Sequence, residues 1–495
     1  MNHFNSVEEQ SSSLVKSISC VKVGENIYLK DLFVYKNINI WEVYEPIIAI
    51  YLLPQIISGK RKLFNKYVYL LNNLFKYLLS FIFENKKNNN NNKNNYWLFT
   101  CFSNYMYDDT ISPLVQYCEK NNLNFESITI GNLTKYNFSI RNIFYLLAFI
   151  SKIKYRLFYS KIENIDNINV SKKDLNFIID YLLYNLIPKN FIDIENALNL
   201  FNVQAPQVIL SVDVANPASR IYTVLAKKYN IPSIDLQYGH YEPADIEWRF
   251  SISDKIFVWG QYYLDLFEKN HFIKREKLEI TGSPKFDYLN NKYHIQKSNK
   301  PNHKVKILFA STYTISSYEN IENYEVIKKF KYNLVNEISN LSNLELIIKP
   351  HPLEDIAWLN NIKSSKNIIV TDQKSSIKQL ISSCEYFISF GSTSTFDALL
   401  QNKICFSVNY DNTKKNQDIF IKNNLVNLIN NDLDLKNILH SISTKSFHES
   451  LDIIINRDKF LKNAISTYGN NNNDSSSHLI SSLVNTYLNQ TIHNL

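Results

Sequence analysis

Cysteine is scarce in this 495-residue chain: Cys20, Cys101, Cys118, Cys384 and Cys405 are the only five. None stands in a CxxC pair and the count is odd, so neither a disulfide framework nor a zinc cluster is expected, and a reducing compartment fits. The N-terminal stretch has no basic segment followed by an apolar core, so no signal peptide is expected. No unbroken apolar run reaches the ~20 residues of a membrane span. Glycine is also rare, at 8 residues. Together with abundant Asn, Lys, Ile, Tyr and Phe, that looks like an AT-rich genome and says little about chemistry. The net charge of +8 is modest for this length. It permits attraction to an acidic membrane surface or a phosphorylated substrate, and it does not argue for nucleic acid.

What is present is enough apolar material for packed cores, 45% of the chain. The length exceeds one ordinary core and implies at least two domains. Residues 1–95 read as an N-terminal, mostly helical extension. Within it, 21–29 suggests a hairpin about Gly24-Glu25-Asn26, and 44–53 a helix stopping near Pro54. The stretches 59–83 and 141–156 are basic, aromatic and helical in pattern. They fit either a membrane interface or helices packed on a sheet with lysines outward, and the second is the expectation. Residues 85–95 are almost wholly Asn and Lys and read as a loop. A β-α-β rhythm then begins at 96–130 and resumes at 207–284, giving a first doubly wound domain over 96–290. The polar run 291–303 reads as a linker. A second such domain spans 304–468, and 469–495 reads as a loop and a helix.

The most informative stretch is 344–400. An apolar strand pattern runs into Lys349-Pro-His-Pro352, and a second breaks into Gly391-Ser-Thr-Ser-Thr395. In a parallel sheet such turns gather at the carboxyl ends of the strands, where ligands bind, and they are expected side by side. The second turn opens a helix whose free N–H groups and hydroxyls suit an anion. The first adds a cation, Lys349, and His351 between two prolines that fix the backbone. This pattern suits a phosphate, most plausibly that of a nucleotide. Ser394-Thr-Phe-Asp397 also fits a capping box, and the two roles are compatible.

Two Rossmann-like halves with these motifs resemble the GT-B glycosyltransferases, specifically bacterial capsule and surface-polysaccharide transferases that include users of CMP-activated acidic sugars. Lys349-Pro-His-Pro352 is similar to their HP motif and Ser392-Thr-Ser-Thr395 to their serine motif. Pro232-Ser-Ile-Asp-Leu-Gln-Tyr-Gly-His240, Val258-Trp-Gly260 and Thr281-Gly-Ser-Pro284 resemble further segments of the group. In the first of these Tyr238 occupies the usual histidine place, and His240 lies two positions on. The likeness covers roughly 205–410. It implies a GT-B fold, two Rossmann-like domains facing a cleft, with the second holding the donor and the first the acceptor. It implies donor-phosphate contacts from His351, Ser392, Thr393 and Ser394. Lys349, Pro352, Gly391, Thr312 and Ser283 complete the expected donor site, and Asp397 is a candidate for the donor ribose.

For the base, His240 and Asp213 compete, each at a strand end, with Glu242 and Asp245 behind them. Asp432-Leu-Asp434 has DxD spacing but reads as part of a surface loop, so catalysis without a metal or cofactor is expected. His271, His294, His303, His440, His448, His478 and His493 read as surface residues. The expected activity is transfer of a sugar, CMP-linked by preference, to a glycan or lipid-linked glycan in surface-polysaccharide synthesis. The setting is the cytoplasm or the inner face of a membrane, with peripheral membrane contact and no nucleic-acid partner. Two alternatives remain: a CDP-glycerol-type polyol phosphotransferase, and a non-catalytic glycan-binding or scaffold protein of the same fold.

Overall fold

The computed structural model describes residues 2–24, 26–59, 65–83, 95–101, 107–129, 140–159, 170–243, 245–292, 304–312, 321–352, 354–361, 366–410, 419–468 and 476–493. The Asn-rich segment 84–94 and most of the expected linker, with His294 and His303, lie outside them. The chain forms two compact units, residues 1–285 with 470–495, and 286–469. The N-terminal extension and the C-terminal helix therefore belong to the first unit rather than standing as separate pieces.

The first unit is built on a parallel sheet of six strands: β1 (Trp97–Cys101), β2 (Phe125–Thr129), β3 (Val208–Ser211), β4 (Ser233–Leu236), β5 (Lys255–Val258) and β6 (Leu278–Ile280). Their order is β6-β5-β4-β3-β1-β2. Every residue of β1, β3 and β4 is buried. Helices cover both faces, so these strands read as continuous apolar runs instead of alternating ones. Strand order reverses between β1 and β3, which makes the crevice beyond their carboxyl ends the ligand-binding position of such a sheet.

The expected hairpin forms between Lys22–Gly24 and Ile27–Tyr28. The helix expected to stop near Pro54 instead continues to Ile57. Pro54 lacks an N–H, and the turn before it, Ile48–Leu52, is π-helical, with the Leu53 N–H reaching back to Ile48 O. The loosened hydrogen-bond spacing accommodates the ring. Ile40–Ile57 is long and apolar enough to cross a membrane by length and composition alone, yet half of it is buried within the unit. Trp41, Val43, Tyr44, Ile48 and Ala49 there are no more than 1% exposed.

Helix α1 (Pro217–Tyr229) follows β3. Asn216 caps it by accepting from the Ala218 N–H at 3.1 Å, Pro217 opens it, and Asn230 closes it at φ 54° in the left-handed region. Its Arg220 is buried. The guanidinium donates Nε to Glu42 O at 2.6 Å, and Nη1 to Val214 O at 2.9 Å and Phe250 O at 2.6 Å. A single side chain thus ties the N-terminal extension to the Rossmann layer. On the other face, Ile480, Val484 and Leu488 of the helix Ser476–His493 join Trp97, Phe99 and Leu114 in one core.

The second unit holds β7 (Val305–Ala310), β8 (Leu344–Lys349), β9 (Ile368–Val370), β10 (Tyr386–Ser389), β11 (Ile404–Val408) and β12 (Asn427–Ile429), in the order β9-β8-β7-β10-β11-β12. All five pairings are parallel. This is the dinucleotide-fold order, with its reversal between β7 and β10. Its core joins Ile307, Phe309, Leu346, Ile348, Ile388 and Phe406 to Phe330, Leu334 and Ile338 of helix α2 (Ile321–Ser339). The expected pair of Rossmann-like α/β domains with a largely helical N-terminal extension is therefore present.

One histidine is not where the sequence puts it. His271 is 2% exposed, at the C-terminal cap of the helix Gln261–Asn270, its ring edge-on to Phe267. Among the described residues neither ring nitrogen has a hydrogen-bond partner. Burial, and then the charge of Arg249, depress its pKa to about 4. A base whose folded pKa is depressed contributes stability that is complete above its unfolded pKa and is lost as pH falls toward the folded value. His271→Phe is therefore expected to stabilise the protein by about 1 kcal/mol at pH 7 by removing unsatisfied nitrogens. The advantage grows by roughly 3 kcal/mol at pH 4, because only the wild type then loses the neutral imidazole. Denaturant titrations at the two pH values check both the sign and the trend.

Candidate functional site

Sheet register aligns the second unit's motifs. Ala310 at the end of β7 pairs with Lys349 of β8 on one side and Ser389 of β10 on the other. The HP turn and the serine turn accordingly leave the sheet at the same height. They are not side by side as expected, because β7 runs between them. Two strand spacings separate them, about 9–10 Å. The Ser311-Thr312 segment at the end of β7 lies in the middle, at the strand-order reversal.

The group that organises this end of the sheet is absent from the sequence expectations. Glu354, three residues beyond His351, is buried. Its Oε1 accepts from Ser311 Oγ at 2.7 Å and Trp358 Nε1 at 3.0 Å, and it forms an ion pair with Lys331 of α2. Its Oε2 accepts the His351 N–H at 3.0 Å. Lys331 donates as well to Thr312 O at 3.0 Å and lies over the Trp358 ring. Burial lowers the Lys331 pKa, and Glu354 opposes that shift. The carboxylate therefore fixes the HP turn to the end of β7. The one legible hint was the acidic residue three positions after His351. Lys331 sits among other lysines of a helix and had no signal of its own.

Lys349 is buried and donates to Pro350 O and Gln373 O, each at 2.7 Å. Two of its three ammonium donors are thus engaged with backbone carbonyls, leaving one for a ligand. Burial lowers its pKa, against the charges of Asp372 and Glu354. His351 is half-buried, and its carbonyl accepts from Gln373 Nε2 and the Glu354 N–H, both at 3.0 Å. Its imidazole pKa is lowered by burial, then raised by Glu354 and lowered again by Lys349. Pro352 is exposed and Thr312 half-buried.

In the serine turn Gly391 adopts φ 73°, a left-handed conformation that suits glycine. Buried Ser389 bonds Thr395 Oγ1 at 2.9 Å, anchoring the turn from below. Above it, Ser392 and Ser394 share a 2.6 Å hydroxyl contact and are half-buried, while Thr393 is exposed. The expected Ser394–Asp397 capping box does not form. Helix Ser394–Leu400 begins one residue earlier than that motif requires, with Thr393 as its N-cap and no side-chain cap bond. The Ser394 N–H is instead taken by Ser392 Oγ at 3.3 Å. Asp397 is buried on the helix's inner side.

Asp432 and Asp434 lie in the first turn of helix Asp432–Ser443, not in a loop. Asp432 binds Lys329, Tyr410 and Asn333, and Asp434 accepts from the Asn430 N–H. Among the described residues no group of three His, Cys, Asp or Glu side chains could hold a metal ion.

Asp213, His240 and Ser283 lie in the first unit. Asp213 sits two residues past β3, at that sheet's own reversal. Its Oδ1 accepts from the Ala215 and Asn216 N–H groups at 3.0 and 2.9 Å. Burial raises its pKa, and those amides and Arg220 only partly offset the rise. Its Oδ2 has no partner among the described residues. Among the described residues the carboxylate is thus held through Oδ1. His240 is buried, with Nδ1 2.7 Å from the Tyr263 hydroxyl. Burial, and then Lys285, lower its pKa to about 3. It is neutral at physiological pH and a weak base. Gln237 braces this turn, accepting the Trp259 N–H at 2.9 Å and donating to Gly239 O at 2.8 Å. Asp245 caps its own turn through the Glu242 N–H at 2.7 Å. Ser283 is buried beside Gly282, whose φ is 75°.

Breaking the Lys331–Glu354 pair leaves one uncompensated buried charge. Glu354→Gln and Lys331→Met are each expected to cost about 3–5 kcal/mol, and the double variant much less than the sum. Denaturant unfolding of the four proteins measures this coupling, and additive losses would show that the two groups act separately.

No protein-family model matches the chain, and no curated protein matches it. Solved structures resemble the chain at low identity, with TM-scores below 0.5. A UDP-GlcNAc 2-epimerase from Methanocaldococcus jannaschii, in complex with UDP-GlcNAc and UDP, is 14% identical with a TM-score of 0.46, covering 79% of this chain and 99% of its own. The wall teichoic acid polymerase TagF is 14% identical with a TM-score of 0.44, covering 86% and 98%. The glycosyltransferase of kitacinnamycin is 10% identical with a TM-score of 0.45, covering 80% and 99%.

Proposed function

We propose that this chain is a GT-B glycosyltransferase that moves a sugar from a nucleotide donor, CMP-linked by preference, to a glycan hydroxyl in surface-polysaccharide synthesis. The observation that carries the reading is the row Lys349–Ala310–Ser389, which brings the HP and serine turns to one height about the strand reversal. A gap of about 9–10 Å admits a phosphate with part of its nucleoside, reached from both turns by side chains.

In this reaction the acceptor oxygen bonds the anomeric carbon as the bond from that carbon to the nucleotide phosphate breaks. The electron pair leaves on the phosphate oxygen. Hydroxyls of Ser392 and Ser394, the remaining Lys349 donor and the His351 imidazole supply fixed donors to that charge, so little reorganisation is needed as it develops. These donors replace a divalent metal. The acceptor's proton goes to a general base, for which Asp213 and His240 are the candidates. Asp213 is preferred to His240, because two amides hold its Oδ1 and so orient the carboxylate, and because burial raises its pKa.

Full-length protein is incubated with labelled CMP-sugar and a glycan acceptor, and both CMP release and glycan product are followed. Turnover is expected to persist in EDTA. Ser392→Ala with Ser394→Ala is expected to reduce it by about 10²-fold or more. Asp213→Asn is expected to lose a comparable factor together with the acid limb of the pH–rate profile. That limb lies above the ordinary carboxylate pKa and reports loss of activity as the carboxyl protonates. Nucleotide release that survives the serine double variant, or no sugar in the product, would overturn the reading.

A further inference from the structure

We propose that the first unit docks on an anionic lipid bilayer through two neighbouring helices, Lys66–Phe83 and Ile140–Tyr159. This rests on the exposure of their side chains and is independent of the transferase reading.

Each helix is apolar on more than one face. In Ile140–Tyr159 the inner face is Leu146, Phe149, Ile150 and Ile153, all buried. The opposite face also carries large apolar groups: Phe144 is 66% exposed and Phe158 82%, with Leu147, Tyr155 and Tyr159 exposed as well. In Lys66–Phe83 the inward row is Asn73 and Tyr77, while Tyr67 is 62% and Leu71 64% exposed, with Val68 and Phe75 beside them. From their composition these helices fit either a membrane interface or packing on a sheet with lysines outward, and the second is the expectation. The structure has the aromatic groups outside. Large apolar groups on the outer face of a helix whose inner face is already packed suit a further apolar partner such as lipid.

The two helices are tied to the same residues. Lys66 of the first and Lys154 of the second both bind the Asp180 carboxylate, and both ammonium groups lie over the Tyr184 ring, at 5.6 and 5.4 Å. Asp180 and Tyr184 thus join them from behind.

Charge selects the occupant. Neither helix contains an Asp or Glu, while Lys76, Arg141, Lys152 and Arg156 are exposed among the aromatic groups. Aromatic side chains with flanking cations, on helices that themselves carry no carboxylate, match the headgroup region of an acidic bilayer, with rings at the acyl boundary and cations at the phosphates. A second copy of the same surface would set cation against cation.

The test is co-sedimentation of the full chain with vesicles of phosphatidylcholine alone and with 30% phosphatidylglycerol, at low and high salt. The two variants are Phe144→Ser with Phe158→Ser, and Leu71→Ser with Phe75→Ser. Binding to the acidic vesicles is expected to exceed that to the neutral ones at least tenfold, to fall in high salt, and to drop at least fivefold in each variant. Melting temperatures are expected to be unchanged, because the replaced side chains are exposed. Equal binding to both vesicles, or binding that survives both variants, would overturn the proposal. So would a concentration-dependent dimer that the variants abolish in the absence of vesicle binding. A lowered melting temperature without vesicle binding would show the face to be covered by the chain itself, and would overturn it too.

Discussion

The Glu354 carboxylate, with Lys331 against it, is the constraint on which the second unit's ligand end depends. Four donors from three parts of the chain converge on it: Ser311 and Lys331, the His351 amide, and the Trp358 indole. A buried ion pair is weak evidence for stability, since desolvation offsets most of its attraction. Its use here is positional. A loop between two prolines is stiff but still free to swing as a body. Glu354 removes that freedom by tying it to the strand at the centre of the sheet, and Gln373 repeats the tie from the opposite side through the His351 and Glu354 carbonyls. Any ligand gripped by His351 therefore meets a preorganised group.

The two units solve one problem with different strand orders. The first places β1 beside β3 at its reversal, and the second places β7 beside β10. Each gathers polar groups at or near the carboxyl ends of those strands. In the first they are Asp213 and the linked hydroxyls of Thr100, Ser211 and Ser219. In the second they are Ser311, Thr312, Ser389 and the serine turn. The chemistries differ in sign: a carboxylate in one, hydroxyls and a partly engaged ammonium in the other. One suits taking up a proton and the other suits holding an anion.

Central strands were legible in the sequence because burial on both faces writes them as unbroken apolar runs, as in 97–101, 208–211 and 344–349. The edge strands β9 and β12 were not, because three residues cannot display a period, and Ile369 and Val370 of β9 are 45% and 44% exposed. Motif turns were legible through their glycine, proline and serine. Their supports were not, since Lys331 and Glu354 acquire meaning only when α2 and the HP turn meet in space. The same limit hid the burial of His271. Composition gives a helix its character, but which of its sides is covered depends on distant partners.

The helix Ser476–His493 belongs to the first unit, although the whole second unit precedes it in sequence. During synthesis the second unit can close as soon as its own residues leave the ribosome. The first cannot, since the apolar strip around Trp97, Phe99 and Leu114 stays uncovered until Ile480, Val484 and Leu488 arrive. The earlier half of the chain is thus the later to mature, and for that interval it presents a sticky flank that chaperones would have to shield.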